Sequence, residues 1–172
     1  MRILKRRTFK FYDVDSFYEA YKYGIACSSV GDCVMERMSA AIIDGRNSFK
    51  VFDDEMSIIL SEQARRDEFN RKLARAVELN NEGIALEKAG DIAGAIARYE
   101  ENILADTYFT LHPFHRLCVL YRRAGDHDNE IRVIETCLAR PEWQTKQYTT
   151  DPKEHNFFLE RLAKAKAYKS RQ

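Results

Sequence analysis

His112, His115 and Cys118 fall at i, i+3 and i+6 on one stretch, and all three are metal-ligating residue types. A metal needs three or four ligands converging on one point. On a helix each step of three turns the side chain about 60° out of line, so the outer two diverge. The cluster reads as histidines on a helix face, with Cys118 on the packed side, and no metal is expected. The carboxylates Asp13, Asp15, Asp53, Asp54 and Glu55 are the other candidates for chemistry. They stand where helices should begin, and negative charge there is favourable against the helix dipole. Capping explains them more cheaply than acid–base catalysis. The chain has no phosphate-cradling glycine loop, no G-x-S-x-G elbow and no H-E-x-x-H pair. No enzyme and no cofactor are expected.

Two basic groups could meet phosphates. Arg2, Lys5, Arg6 and Arg7 interleave with Phe9, Phe11 and Tyr12, and Lys164, Lys166, Lys169 and Arg171 lie near the other end. Aromatic and basic side chains together can stack bases and hold a backbone. The net charge is only +1, so no strong field draws the whole molecule to nucleic acid or membrane, and neither is an expected partner. None of the four cysteines, Cys27, Cys33, Cys118 and Cys137, sits in a C-x-x-C pair. They read as reduced, and the compartment as cytoplasmic. The first residues are basic but carry no apolar run of signal-peptide length. No stretch approaches the roughly 20 apolar residues of a membrane span.

The elements that must position these residues are mostly helical. Only three Pro and seven Gly interrupt 172 residues. Thr8 to Tyr12 and Ser48 to Phe52 alternate apolar and polar. The two runs either pair as a short antiparallel ribbon or lie as extended arms against helices. Ser16 and Glu19 form a capping box, which starts a helix at Ser16. Gly24 precedes Gly31-Asp32 by the interval that separates Gly83 from Gly90-Asp91, which suggests a degenerate hairpin over residues 16–44. Arg37, however, stands where the later hairpins have Ile96 and Ile131, so a simple helical pair is the alternative. From Asp53 to Glu82 no Gly or Pro intervenes; one long helix is expected, or two with a break near Arg66. Glu142 to Thr150 reads as a loop with Trp143 tucked back. Asp151-Pro152-Lys153-Glu154 then gives a helix start, followed by a stripe of Phe158, Leu162 and Ala165.

Between Leu79 and Leu138 the same hairpin occurs twice. Gly83, Leu86, Gly90-Asp91, Ala95-Ile96 and Tyr99 are matched, 35 residues on, by Cys118, Tyr121, Gly125-Asp126, Glu130-Ile131 and Ile134. Leu79, Gly83 and Leu86 make one helical face, and Gly83 lets a partner helix approach closely. Gly90 and Gly125 close a helix, and Asp91 and Asp126 can cap the next. Ile92, Ala95, Ile96, Tyr99 and Ile103 form the returning stripe. In the second hairpin Pro113 fits a first helical turn. Phe114, Leu117, Cys118 and Tyr121 face inward there, and Ile131, Ile134 and Leu138 return.

A self-similar period of about 34 with helix–turn–helix patterning is the signature of the tetratricopeptide repeat, and these residues resemble that family. Glu130 in place of Ala, Ile134 in place of an aromatic, and Asn102 in place of Ala depart from its pattern. The resemblance implies an all-α fold: a right-handed α-α superhelix of TPR-like helical hairpins with a C-terminal capping helix. The repeats would cover about residues 76–106 and 111–140, and the capping helix about 152–168. Residues 1–52 would be a small helical or β-ribbon appendage and residues 53–172 the helical domain. The family binds peptides or partner helices in a concave groove. By position, Asn80, Ile84 and Glu87 from the first inner helix and His115, Val119 and Arg122 from the second should face it. Asn80 and Ile84 stand where the carboxylate-gripping variety needs Lys and Asn, so that variety is not expected. The resemblance therefore implies a protein–protein interaction module with a protein or peptide partner; self-association as a homodimer is the alternative.

Overall fold

The computed structural model describes residues 7–145 and 152–170. Seven α-helices and one two-stranded sheet make up the described residues. The chain divides into two compact units, Met1–Asn70 and Arg71–Gln172, whereas the sequence suggested a boundary at residues 52 and 53.

In the first unit the alternating runs pair as a ribbon. Strands β1 (Phe9–Asp13) and β2 (Ser48–Phe52) are antiparallel, with Phe9 opposite Phe52 and Asp13 opposite Ser48. The two-residue period turns Phe49 and Val51 inward and leaves Phe9 and Phe11 exposed. Two strands alone are marginal. Helices α1 (Val14–Cys27) and α2 (Gly31–Ile43) bury the inner face in a core that includes Phe17, Ile25, Val34 and Met38. Helix α1 does not start at Ser16: Asp13 is the cap, its carboxylate accepting the Ser16 amide at 2.9 Å. Gly31 is not a left-handed turn residue like Gly90 and Gly125; it opens α2. Residues 16–44 thus lack the turn of the later hairpins and form a simple helical pair. Arg37 is not misplaced. Its guanidinium donates to Glu55 at 2.5 Å and to the Lys50 carbonyl at 3.0 Å, which neutralises a glutamate only 5% exposed.

Helix α3 (Asp53–Lys88) is continuous, with no break at Arg66. Its residues from Arg71 on belong to the second unit, with α4 (Ile92–Leu104), α5 (His112–Arg123), α6 (His127–Leu138), a 3₁₀ turn (Pro141–Gln144) and α7 (Lys153–Lys169). The two turns at 35-residue spacing match bond for bond. Gly90 and Gly125 take φ of 83° and 70°, a region that favours glycine. The Asp91 amide donates to the Leu86 carbonyl and the Asp126 amide to the Tyr121 carbonyl, both at 2.9 Å. Each aspartate then caps the next helix, accepting the Gly94 amide at 2.8 Å and the Asn129 amide at 3.1 Å.

The core of this unit includes Ala95, Tyr99, Phe114, Leu117, Cys118, Ile134 and Phe158. Ile92 is the exception to the expected stripe; at the first position of α4 it is 43% exposed. Asn102, an unexpected polar residue there, is fully hydrogen-bonded. Its amide donates to the Ala76 carbonyl and to Asn80, both at 3.0 Å, and Thr107 donates to it. Trp143 tucks back as expected, on the 3₁₀ turn rather than a loop, with its indole N–H on the Cys137 carbonyl at 2.7 Å. Helix α7 starts at Lys153; Asp151, its expected cap, lies outside the described residues.

Candidate functional site

Asn80, Ile84 and Glu87 sit at i, i+4 and i+7 on α3, and His115, Val119 and Arg122 repeat that spacing on α5. Each set therefore makes one helical stripe. Two contacts place the stripes side by side: Asn80 reaches Thr110, just before α5, at 3.4 Å, and Glu87 binds Arg116. The contacts advance together along both chains, so α5 runs parallel to the end of α3.

The six residues have different surroundings. Asn80 is half-buried and also accepts from Asn102. Ile84 and Val119 are half-buried apolar positions. Glu87 is held by the Arg116 guanidinium, which keeps its carboxyl below the usual range. His115 is taken up by α7: its Nε2 lies 2.8 Å from Glu154, and its ring packs on Phe157 and Phe158 with centroids 4.8 Å away. The Arg122 side chain is exposed and has no hydrogen bond or ion pair among the described residues.

Arg122 opens onto a cleft of about 270 Å³ whose walls also include His127, Glu130, Arg161, Lys164, Ala165 and Tyr168. Its floor is an internal ion pair. Glu130, 1% exposed, accepts from the Arg161 Nε at 2.7 Å and lies 3.3 Å from His127 Nδ1. Arg161 also donates to the Cys118 carbonyl at 3.3 Å. Tyr168 stacks on His127, the rings 5.8 Å apart and 13° from parallel. Among the described residues Lys164 has only a long contact, 3.9 Å, to the exposed Glu160.

The residues considered for a metal part ways. His112 lies edge-on to Tyr99, and burial lowers its pKa. His115 faces α7, and Cys118 is buried with its thiol pushed up to about 12 by desolvation. No two cysteines are bonded to each other. The basic groups are likewise dispersed. Arg7 pairs with Asp54 at 2.8 Å and lies over the Phe52 ring; Lys166 pairs with Glu135 at 2.8 Å and Lys169 with Asp128. Arg2, Lys5, Arg6 and Arg171 lie outside the described residues.

Sequence reasoning missed Arg161, Lys164, His127 and Tyr168 as neighbours of Arg122. One signal was present: Glu130 at a core position demands a cation nearby. Nothing in the spacing said that α7 would supply it. No helix among the described residues is long and apolar enough to cross a membrane. Comparison with protein-family models, with curated proteins and with solved structures finds no match.

Proposed function

We propose that this chain is a non-catalytic protein–protein interaction module of the cytoplasm. Its hairpins are of the tetratricopeptide kind, wound as a right-handed superhelix. A peptide or partner helix lies along Asn80, Ile84, Glu87, His115, Val119 and Arg122. The observation that carries the reading is the pair of parallel stripes, one on α3 and one on α5, with the second ending in Arg122, unpaired among the described residues, beside an open cleft. Ile84 and Val119 supply apolar contact, and the polar members orient the bound segment.

The test is capture of a partner from cell extract, quantified for wild type, Ile84→Asp and Arg122→Glu. Arg122→Glu is expected to melt like wild type, since surface substitutions change stability by about 0.5 kcal/mol or less; Ile84 is half-buried, so Ile84→Asp is assayed at a temperature where its own melt shows it folded. Both should lose the partner, because reversed or buried unpaired charge at an interface costs several kcal/mol, about 2–5. Intact capture by both variants would overturn the reading. Sizing across a dilution series then separates this module from a self-associating one, whose apparent mass would fall on dilution.

A further inference from the structure

We propose that the cleft at Arg122 is a phosphate-monoester site that takes a phosphoserine or phosphothreonine of the partner segment; this rests on the interaction-module reading above. Three cations, Arg122, Arg161 and Lys164, line the cleft, with Glu130 as its one carboxylate. Glu130 is already engaged by Arg161 and His127, and it fixes the Arg161 guanidinium in place. The other acids at the start of α6 do not line the cleft: Asp126 caps the helix through Asn129, and Asp128 holds Lys169. The lining therefore carries two more cations than carboxylates, and the nearest acid to Lys164 among the described residues is the exposed Glu160 at 3.9 Å.

A comparison within the molecule makes that excess specific. Glu87 and Arg122 occupy matched positions 35 residues apart. The charge at Glu87 is met by Arg116 from the neighbouring helix. At Arg122 the neighbouring helix, α7, brings further cations. Arg122 stands in the last turn of α5, where a cation is favourable, but that does not account for Lys164 and Arg161 beside it.

The size and charge of the site select the ligand. About 270 Å³ falls just below the roughly 300–1,000 Å³ of small-molecule pockets, so one side-chain group fits better than a whole cofactor. A phosphate monoester carries about −1.5 to −2 at neutral pH and three acceptor oxygens, and guanidinium forks match those oxygens. An aspartate or glutamate would leave one cation unmatched. Arg161 directs its Nε and Nη2 to Glu130 and the Cys118 carbonyl, and Nη1 is the one guanidinium nitrogen that must meet a phosphate oxygen in the proposed complex. Ala165 and Tyr168 form an apolar wall for the ester's carbon.

The test is an amide-resolved NMR titration of the full chain with four probes. They are a short alanine-flanked phosphoserine peptide, its unphosphorylated form, its aspartate form, and inorganic phosphate. The phosphopeptide should produce saturable shifts centred on Arg122, Ala165 and Tyr168. The aspartate peptide and inorganic phosphate should each bind at least about ten-fold more weakly, and the unphosphorylated peptide should produce no shifts. Arg122→Glu and Lys164→Glu should each weaken the phosphopeptide by about ten-fold or more; Lys166→Glu, outside the cleft on the same helix, should leave it unchanged. Equal binding of the aspartate peptide, equal binding of inorganic phosphate, or no saturable shift at these residues would overturn the proposal. If the phosphopeptide fails while Ile84→Asp still abolishes partner capture, the module stands and the phosphate does not. If the phosphopeptide binds and Arg122→Glu loses the partner while Ile84→Asp still captures it, the phosphate site stands and the stripe does not.

Discussion

In the first hairpin a glycine faces an aromatic ring; in the second, a cysteine and an isoleucine take the same positions. A Cβ added at Gly83 would lie 2.5 Å from the Tyr99 ring, so the missing side chain and the large one are a single packing solution. Cys118 and Ile134, their matches 35 residues on, divide the volume more evenly, and both are buried. The third matched pair differs in kind. Ala95 is buried among apolar neighbours, while Glu130 is buried on Arg161 of α7. The comparison teaches that the turn repeats as a local unit, whereas the interior repeats only as filled volume and balanced charge. Each hairpin balances its interior with whatever its neighbours supply.

The largest expected effect comes from unbalancing the second hairpin. Arg161→Ala leaves Glu130 buried without its cation, and breaking such a pair costs about 3–5 kcal/mol. The double change of Glu130 and Arg161 to Met should recover most of it, since apolar replacements of buried pairs are often neutral or better. Denaturant unfolding measures both. A loss under about 1 kcal/mol in the single variant would mean that the pair adds little to the fold.

The next effect concerns the space shared by Gly83 and Tyr99. Gly83→Leu should cost about 1–3 kcal/mol by overpacking. If the two hairpins are alternative solutions to one packing problem, Tyr99→Ile should rescue Gly83→Cys, recreating the pairing of the second hairpin. A double-mutant cycle should then give a favourable coupling of about 0.5–3 kcal/mol. Additive losses would show that the two positions do not share their space.

The smallest effect tests the turns themselves. Gly90→Ala and Gly125→Ala each force a side chain into a left-handed conformation, at about 1–2 kcal/mol. Open space surrounds both positions, so the cost is purely conformational and should be the same at each. Thermal melts of the two variants check this. A clear inequality would mean that the matched hydrogen bonds do not make the turns equivalent.

Much of the helical framework was legible because its signals are short-range. Gly90-Asp91 and Gly125-Asp126 declare their turns through a backbone conformation and a cap that act within a few residues. The alternation of Phe49 and Val51 marked the inner face of β2, and the long run without Gly or Pro marked α3. The start of α1 was misread for the same local reason: Asp13 and Ser16 both offer a side-chain oxygen, and geometry chose Asp13. Ile92 was misjudged because a first-turn residue can match the helical period and still turn toward solvent.

The candidate site was only half legible. Matching the two hairpins to the pattern of the repeat they resemble singled out Asn80, Ile84, Glu87, His115, Val119 and Arg122, and helical spacing puts each set of three on one stripe. The charges around them are a different matter. Glu87 is met by Arg116, Glu130 by Arg161, and Arg122 by no acid among the described residues. These outcomes depend on which helix lies beside which, across separations of 29 and 31 residues. Coulomb energy falls with distance in space, not along the chain. Local spacing thus determined the hairpins and their stripes, and only the packing of α7 against α5 and α6 decided that one end of a stripe would open onto unbalanced positive charge.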